Sequence, residues 1–287
     1  MSESKQKKQF RLTCMFCGEP GSSREHYIPS WSHKYFEHLP NRIRPLTLET
    51  LYDRPNRTMT VDESERETGR ARHKDPVLQV CEDCNNKWMG EIVNAAKPGL
   101  ERWAFPSGLA RSGRVPKDEI EAISKWVVLA AITYQVPRSI HSILPQDIAH
   151  MHQAHEIPAN WRVAIAPVNV GADHHALISE HGLSGRTPYG RKYSVGASTF
   201  LIVLVDCLLL VWRTTATGPA GQLWENRKLH DFYPVHEGRV PWETMEPLTG
   251  DEIYRLIANL RLFADRIFEA QMDHVILNAR TTPRRGH

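Results

Sequence analysis

Cys81-Glu82-Asp83-Cys84-Asn85-Asn86-Lys87-Trp88 is a Cys-x-x-Cys knuckle running straight into a helical pattern, and Cys14-Met15-Phe16-Cys17 repeats the knuckle far upstream. Four soft thiolates in two such pairs suit tetrahedral Zn²⁺. Sixty-three residues separate Cys17 from Cys81, against roughly 15–20 in a compact zinc ribbon. Loop-closure entropy rises only slowly with length, so the long gap is compatible with one shared ion. A structural zinc on Cys14, Cys17, Cys81 and Cys84 is therefore expected. Independent thiols and a redox-active pair are the other readings of this spacing. The fifth cysteine, Cys207, sits in an apolar run and reads as a buried, inert thiol.

Ser23-Arg24-Glu25-His26-Tyr27-Ile28-Pro29 follows the first knuckle, and Glu25 lies eight residues beyond Cys17. Asn85 directly follows Cys84, so an ion on all four sulfurs would draw Asn85 towards Glu25 whatever their separation in sequence. Hydrolysing a phosphodiester needs an activated water and charge stabilisation at the phosphate and the leaving oxygen. A neutral imidazole is a suitable general base near pH 7, and His26 offers one. Carboxylate and amide oxygens suit Mg²⁺ or Mn²⁺, which makes Glu25 and Asn85 candidate ligands of a second, catalytic ion. Each residue also has a plainer reading. His26 is one of fifteen histidines, Glu25 is a solvated charge, and Asn85 caps the helix that follows.

At these residues the chain resembles the HNH endonucleases, members of the ββα-metal (His-Me finger) nucleases. It looks most like their bacterial and phage branch with a Cys₄ zinc site. The matching strings are Cys14-Met-Phe-Cys17-Gly18, Glu25-His26-Tyr27-Ile28-Pro29 and Cys81-Glu-Asp-Cys84-Asn85-Asn86-Lys87-Trp88-Met89, all within residues 10–100. The resemblance implies His26 as general base, Glu25 as the first metal ligand and Asn85 as the second, in place of the family's usual final histidine. An asparagine there favours Mg²⁺ or Mn²⁺ over zinc at the catalytic position. The family's middle asparagine, which orients the base histidine, falls at Pro76 in this chain. The resemblance leaves that task to a backbone carbonyl or to a neighbour such as Asp75 or His73. Asn86 and Lys87 stand as accessory residues of the same site.

The fold expected is α+β. A flexible basic tail (1–9) leads into an HNH module stapled by the zinc (10–100), which carries an exposed insertion (40–76) with hairpin character around Arg54-Pro55-Asn56-Arg57. Within the module, strands are expected over Glu25 to Ile28 and Val77 to Val80. Asn85 to Lys97 reads as a helix closed by Pro98-Gly99, with Trp88, Ile92 and Ala95 on one face. Residues 115–279 read as a mixed α+β domain with an antiparallel sheet. Lys117 to Gln135 and Pro145 to His155 are expected helices. Strands are expected at Trp161 to Val168, at Ala176 to Ser179, and as a pair within 199–213 joined near Asp206. A long terminal helix starts at the capping box Thr249-Gly-Asp-Glu252 and carries a stripe of Ile253, Leu256, Ile257, Leu260, Phe263 and Ile267. Arg280 to His287 is a second flexible tail.

Composition is that of a globular protein, with 41% hydrophobic and 24% charged residues. The longest apolar run, Phe200 to Trp212, is 13 residues long and holds Asp206. A membrane span needs about 20 residues, so no membrane partner is expected. No secretory signal follows the polar first residues, and four paired cysteines read as metal ligands of a reducing compartment, so a cytoplasmic location in a bacterial or phage-infected cell is expected. A net charge of +3 neither demands nor excludes nucleic acid.

The expected function is endonuclease action on DNA, ahead of RNA, with structural Zn²⁺ and catalytic Mg²⁺ or Mn²⁺, in a setting of phage biology or bacterial defence. The alternative is a catalytically weak or inactive zinc-ribbon module that binds nucleic acid or protein. Residues 115–287 would recognise targets, sense a ligand or form a homo-oligomer. The tryptophans Trp161, Trp212, Trp224 and Trp242 read as core or interface residues, and His150, His152, His155, His174 and His175 as surface residues more than metal ligands.

Overall fold

The computed structural model describes residues 13–21, 23, 25–26, 28–35, 46–53, 58–65, 76–77, 80–105, 115–136, 143–169, 178–186, 192–213, 228–234, 240, 242–257 and 259 of the 287-residue chain. Its first part contains β1 (Glu25–His26), a 3-10 segment (Ser30–Tyr35), β2 (Leu46–Asp53), β3 (Thr58–Glu65), β4 (Pro76–Val77), the single turn α1 (Glu82–Cys84), a π turn (Asn85–Met89) and α2 (Gly90–Trp103). There follow α3 (Lys117–Gln135), α4 (Pro145–Ala154), β5 (Trp161–Asn169), β6 (Ile178–Arg186), β7 (Lys192–Leu204), β8 (Cys207–Arg213), β9 (His230–Tyr233), β10 (Leu248–Thr249) and α5 (250–257). Both expected tails, Trp224, His174, His175 and the stretch from Leu260 onward lie outside the described residues. No described helix is long and apolar enough to cross a membrane.

The class is α+β, built on one eight-stranded, mainly antiparallel sheet in the order β10-β5-β8-β7-β6-β2-β3, with β9 also on β5. The apolar run around Asp206 makes its centre. β7 and β8 pair antiparallel from Ser198↔Arg213 to Leu204↔Cys207, turning through Val205, whose φ is 52°, and Asp206. Residues alternate between the two faces. Phe200, Ile202, Leu209 and Val211 join one buried cluster, while Leu201, Val203, Leu208, Leu210 and Trp212 join the other. Every residue of β8 is buried, as expected of a strand covered on both sides. α3 lies against the first face, and Ile253, Leu256 and Ile257 of α5 pack on the second. α5 opens with the expected capping box. Glu252 accepts from the Thr249 N–H at 2.8 Å, and the Glu252 N–H reaches the Thr249 hydroxyl at 3.3 Å. The Lys228 ammonium, together with that Thr249 N–H, holds the half-buried Glu252 carboxyl down to about 2.

β2 and β3 pair antiparallel from Leu46↔Glu65 to Asp53↔Thr58. β2 also pairs in parallel with β6 from Leu46↔Ser179 to Asp53↔Arg186. The sheet edge left by β6 has N–H and C=O groups that need partners, and β2 supplies them. The first cluster likewise runs without a break from Cys14 and Trp88 through α2 and α3 to Phe200 and Trp242. Strands before α3 and strands after α4 thus belong to one sheet, and one buried cluster draws on both parts of the chain.

Pro98-Gly99 does not close a helix, because α2 continues to Trp103 with Pro98 inside it. A proline in a helix costs about 3 kcal/mol. Continuing the helix buries Leu100 and Trp103, at 1% and 3% exposure, and such burial contributes roughly 1.5–3 kcal/mol for each large side chain. The Trp103 N–H and the Arg102 guanidinium both reach Glu119 at 2.7 Å. Gly99 serves the close approach of α2 to α3, since a Cβ there would lie 2.9 Å from Ile123 Cδ1 and 3.3 Å from its Cγ1. Gly99→Ala should therefore lower stability by about 1 kcal/mol. A gain of about 1 kcal/mol in helix propensity is outweighed by roughly 1–3 kcal/mol of overpacking. A urea midpoint unchanged or raised by the substitution would show that Ile123 gives way freely.

α4 is fastened to the end of β8 by an ion pair that the sequence did not advertise. Asp147 and Arg213, with side chains 6% and 2% exposed, form a two-pronged contact through Arg213 Nε to Oδ2 and Nη2 to Oδ1. Removing one partner strands the other charge in the core. Asp147→Ala should cost about 3 kcal/mol, measured by thermal or urea unfolding, while a loss below about 1 kcal/mol would mean that Arg213 reaches water.

Candidate metal centre

The first knuckle is a tight turn. The Gly18 N–H bonds the Cys14 carbonyl at 2.9 Å, and the Cys14 N–H bonds the Glu19 carbonyl at 2.6 Å. Gly18 has φ 81°, a left-handed conformation that favours glycine. The second knuckle starts a helix. Cys81 is its N-cap, its sulfur accepts from the Cys84 N–H at 3.4 Å, and the Asn85 N–H bonds the Cys81 carbonyl at 3.0 Å. The chain then widens into the π turn, bends at Lys87 (φ −95°, ψ −108°) and straightens as α2. Gly90 sits under the bend, its N–H reaching the carbonyls of Asn85 and Lys87.

The two knuckles meet. The sulfurs of Cys14, Cys17, Cys81 and Cys84 all lie within 4.8 Å of one another, and those of Cys17 and Cys81 are 3.5 Å apart. A tetrahedral ion with Zn–S bonds of about 2.3 Å needs sulfurs about 3.8 Å apart. The donor set and its spacing therefore fit zinc. Cys14, Cys81 and Cys84 are buried and Cys17 is exposed. Burial opposes the thiolate at Cys14, but N–H groups of Cys17, Cys81 and Phe16 outweigh it and bring this thiol down to about 7. Burial pushes Cys17 and Cys84 up, and at each of them the Cys81 sulfur adds to the rise. An ion taking all four sulfurs must displace protons from these two, so its affinity should fall as the pH is lowered.

Beside the cysteines stands an antiparallel strand pair. β1 meets β4 at Glu25↔Val77 and His26↔Pro76, and the Ser23 N–H bonds the Val80 carbonyl at 2.9 Å. The backbone at Glu25 and His26 thus runs alongside the strand that enters the second knuckle, and Asn85 follows that knuckle by one residue. Pro76, opposite His26, brings neither a side-chain amide nor an N–H. Asn85 is half-buried, while Asn86 and Lys87 are exposed. Lys87 pairs with Asp83 at 3.0 Å on the surface. His73 and Asp75 lie outside the described residues, as do the side chains of Glu25 and His26.

The sequence did not signal the aromatic packing around the cysteines. Trp88 meets Phe16 edge-on at 5.0 Å and stacks on His155 at 5.1 Å with the rings 7° apart, and His152 lies 5.9 Å from it. Phe16, inside the first knuckle, and Trp88, four residues past Cys84, were the visible hints. His152 and His155 belong to this packing. Among the described residues the four cysteines alone form a group able to hold a metal ion. No protein-family model, curated protein or solved structure matches the chain.

Proposed function

We propose that this chain is a metal-dependent endonuclease of the HNH type that hydrolyses phosphodiester bonds of DNA. The observation that supports it is the convergence of the two knuckles beside an antiparallel strand pair that leads into a helix. The order is Glu25–His26, then Pro76–Val77, then the helix that begins past Cys84 and Asn85. That is the ββα order the family uses, assembled here across a long insertion. In this reading the four cysteines hold a structural zinc. His26 takes a proton from the attacking water, and its imidazole suits that task near neutral pH. Glu25 and Asn85 offer a carboxylate and an amide oxygen, the donors that Mg²⁺ or Mn²⁺ prefers. The ion they would hold supplies charge stabilisation at the leaving oxygen. The test is nicking of plasmid DNA with Mg²⁺ or Mn²⁺ by the wild type and by His26→Ala.

One observation favours a second reading, a module that binds nucleic acid or protein without cutting. Pro76 stands opposite His26, where the family's orienting asparagine is expected. Tight, salt-sensitive DNA binding with no turnover under either ion would select it.

A further inference from the structure

Ser30–Tyr35 begins four positions beyond His26 and is tied down by burial and hydrogen bonds. Ile28 and Ser32 are fully buried, and the Ser32 hydroxyl and N–H both bond the Pro29 carbonyl, at 2.7 and 2.9 Å. The segment presents two half-buried rings, Trp31 and Tyr35, that rest on Phe105 at 5.8 and 4.7 Å. Each ring carries a lysine ammonium, Lys97 over Trp31 at 5.4 Å and Lys34 over Tyr35 at 4.7 Å. These two cations are poorly neutralised. Lys34 has only Glu101, at 3.9 Å, and Lys97 has no carboxylate partner among the described residues. The buried Trp31 N–H has no acceptor among them either.

Trp31 lies five positions beyond His26, a chain reach of at most about 18 Å. DNA carries a phosphate about every 3.4 Å along each strand. A strand lying across His26 therefore passes this segment within about five phosphates. Two ammonium groups bedded on aromatic rings of this segment suit the phosphates of a nucleic-acid backbone.

We propose that Lys34 and Lys97, bedded on Tyr35 and Trp31, grip the phosphates of the DNA that the neighbouring site cleaves; this rests on the nuclease reading above. Glu101, which also accepts from the Tyr35 hydroxyl at 3.5 Å, holds Lys34 back in the free protein.

The test uses the full chain with His26→Ala as the non-cutting parent, a fluorescent duplex as probe and a series of salt concentrations. Lys34→Gln and Lys97→Gln should each reduce the slope of log K against log salt by about 0.9, and the pair by about 1.8. Lys117→Gln, a surface charge removed elsewhere, is the control and should shift it by less than half as much as either. In the wild-type background the double variant should raise KM by a larger factor than it lowers kcat. A parent that binds, with slope and KM untouched by the double variant, overturns the strip and leaves the nuclease reading standing. A wild type that neither binds nor cuts DNA overturns both.

Discussion

Stripping the metal, or replacing Cys84 with serine, should unfold the part of the core that contains the knuckles. Cys14, Cys81 and Cys84 are 3%, 6% and 4% exposed and belong to the same cluster as α2, α3 and one face of the sheet. Without an ion, four sulfurs stay crowded within 4.8 Å, and any that ionise repel one another. Structural zinc contributes about 10–16 kcal/mol to folding in small zinc-finger peptides, whereas the net stability of a whole domain is only about 5–15 kcal/mol. Metal loss can therefore remove most of what holds the chain folded. A loss of even about 5 kcal/mol lowers the melting temperature by roughly 10–20 °C in a chain of this size. The measurements are zinc content, expected at one per chain, and melting curves with and without chelator. Cys207→Ala is the control. Cys207 is buried in β8, away from the other four, so this variant should keep its zinc. A chelated protein that melts where the untreated one does would remove the structural ion.

The features legible in the sequence were those set by local chemistry. An aspartate inside an apolar run marked the β7–β8 turn, and Thr249 with Glu252 marked the start of α5. The two Cys-x-x-Cys pairs marked each other, because four thiolates in two such pairs complete one tetrahedral ion site. What stayed hidden depended on contacts between distant segments. Pro98-Gly99 reads locally as a stop, yet Leu100 and Trp103 gain more by burial than the proline costs. The parallel register of β2 on β6 spans more than a hundred residues, and nothing in either strand names its partner. Asp147 looks like an ordinary first-turn acid of α4 until Arg213 arrives from β8. His152 and His155 are surface histidines, half-buried and exposed, as the sequence suggested, and only their ring contacts with Trp88 stayed hidden.

His26→Ala should abolish most DNA cleavage while leaving fold and zinc intact. A positioned general base contributes about 10²–10⁴-fold, equivalent to roughly 3–5 kcal/mol of barrier at about 1.4 kcal/mol per tenfold. Since His26 lies in a two-residue strand outside the cysteine cluster, its loss should not shift the melting temperature or the zinc content. That separation gives the experiment its force, because a cysteine variant loses activity by unfolding and a base variant loses it while folded. Asn85→Ala and Glu25→Gln should behave as His26→Ala does, with the added feature that raising Mn²⁺ recovers part of the rate if these residues hold the ion. Equal nicking by wild type and His26→Ala would remove His26 as the base. Pro76 sharpens the comparison. Opposite His26 it provides no side-chain donor or acceptor, so on the nuclease reading the imidazole would be oriented by backbone carbonyls or by residues arriving from elsewhere. Pro76→Asn would place an amide at that register position. If the native base is held loosely, this substitution should raise the wild-type rate and have no effect on His26→Ala.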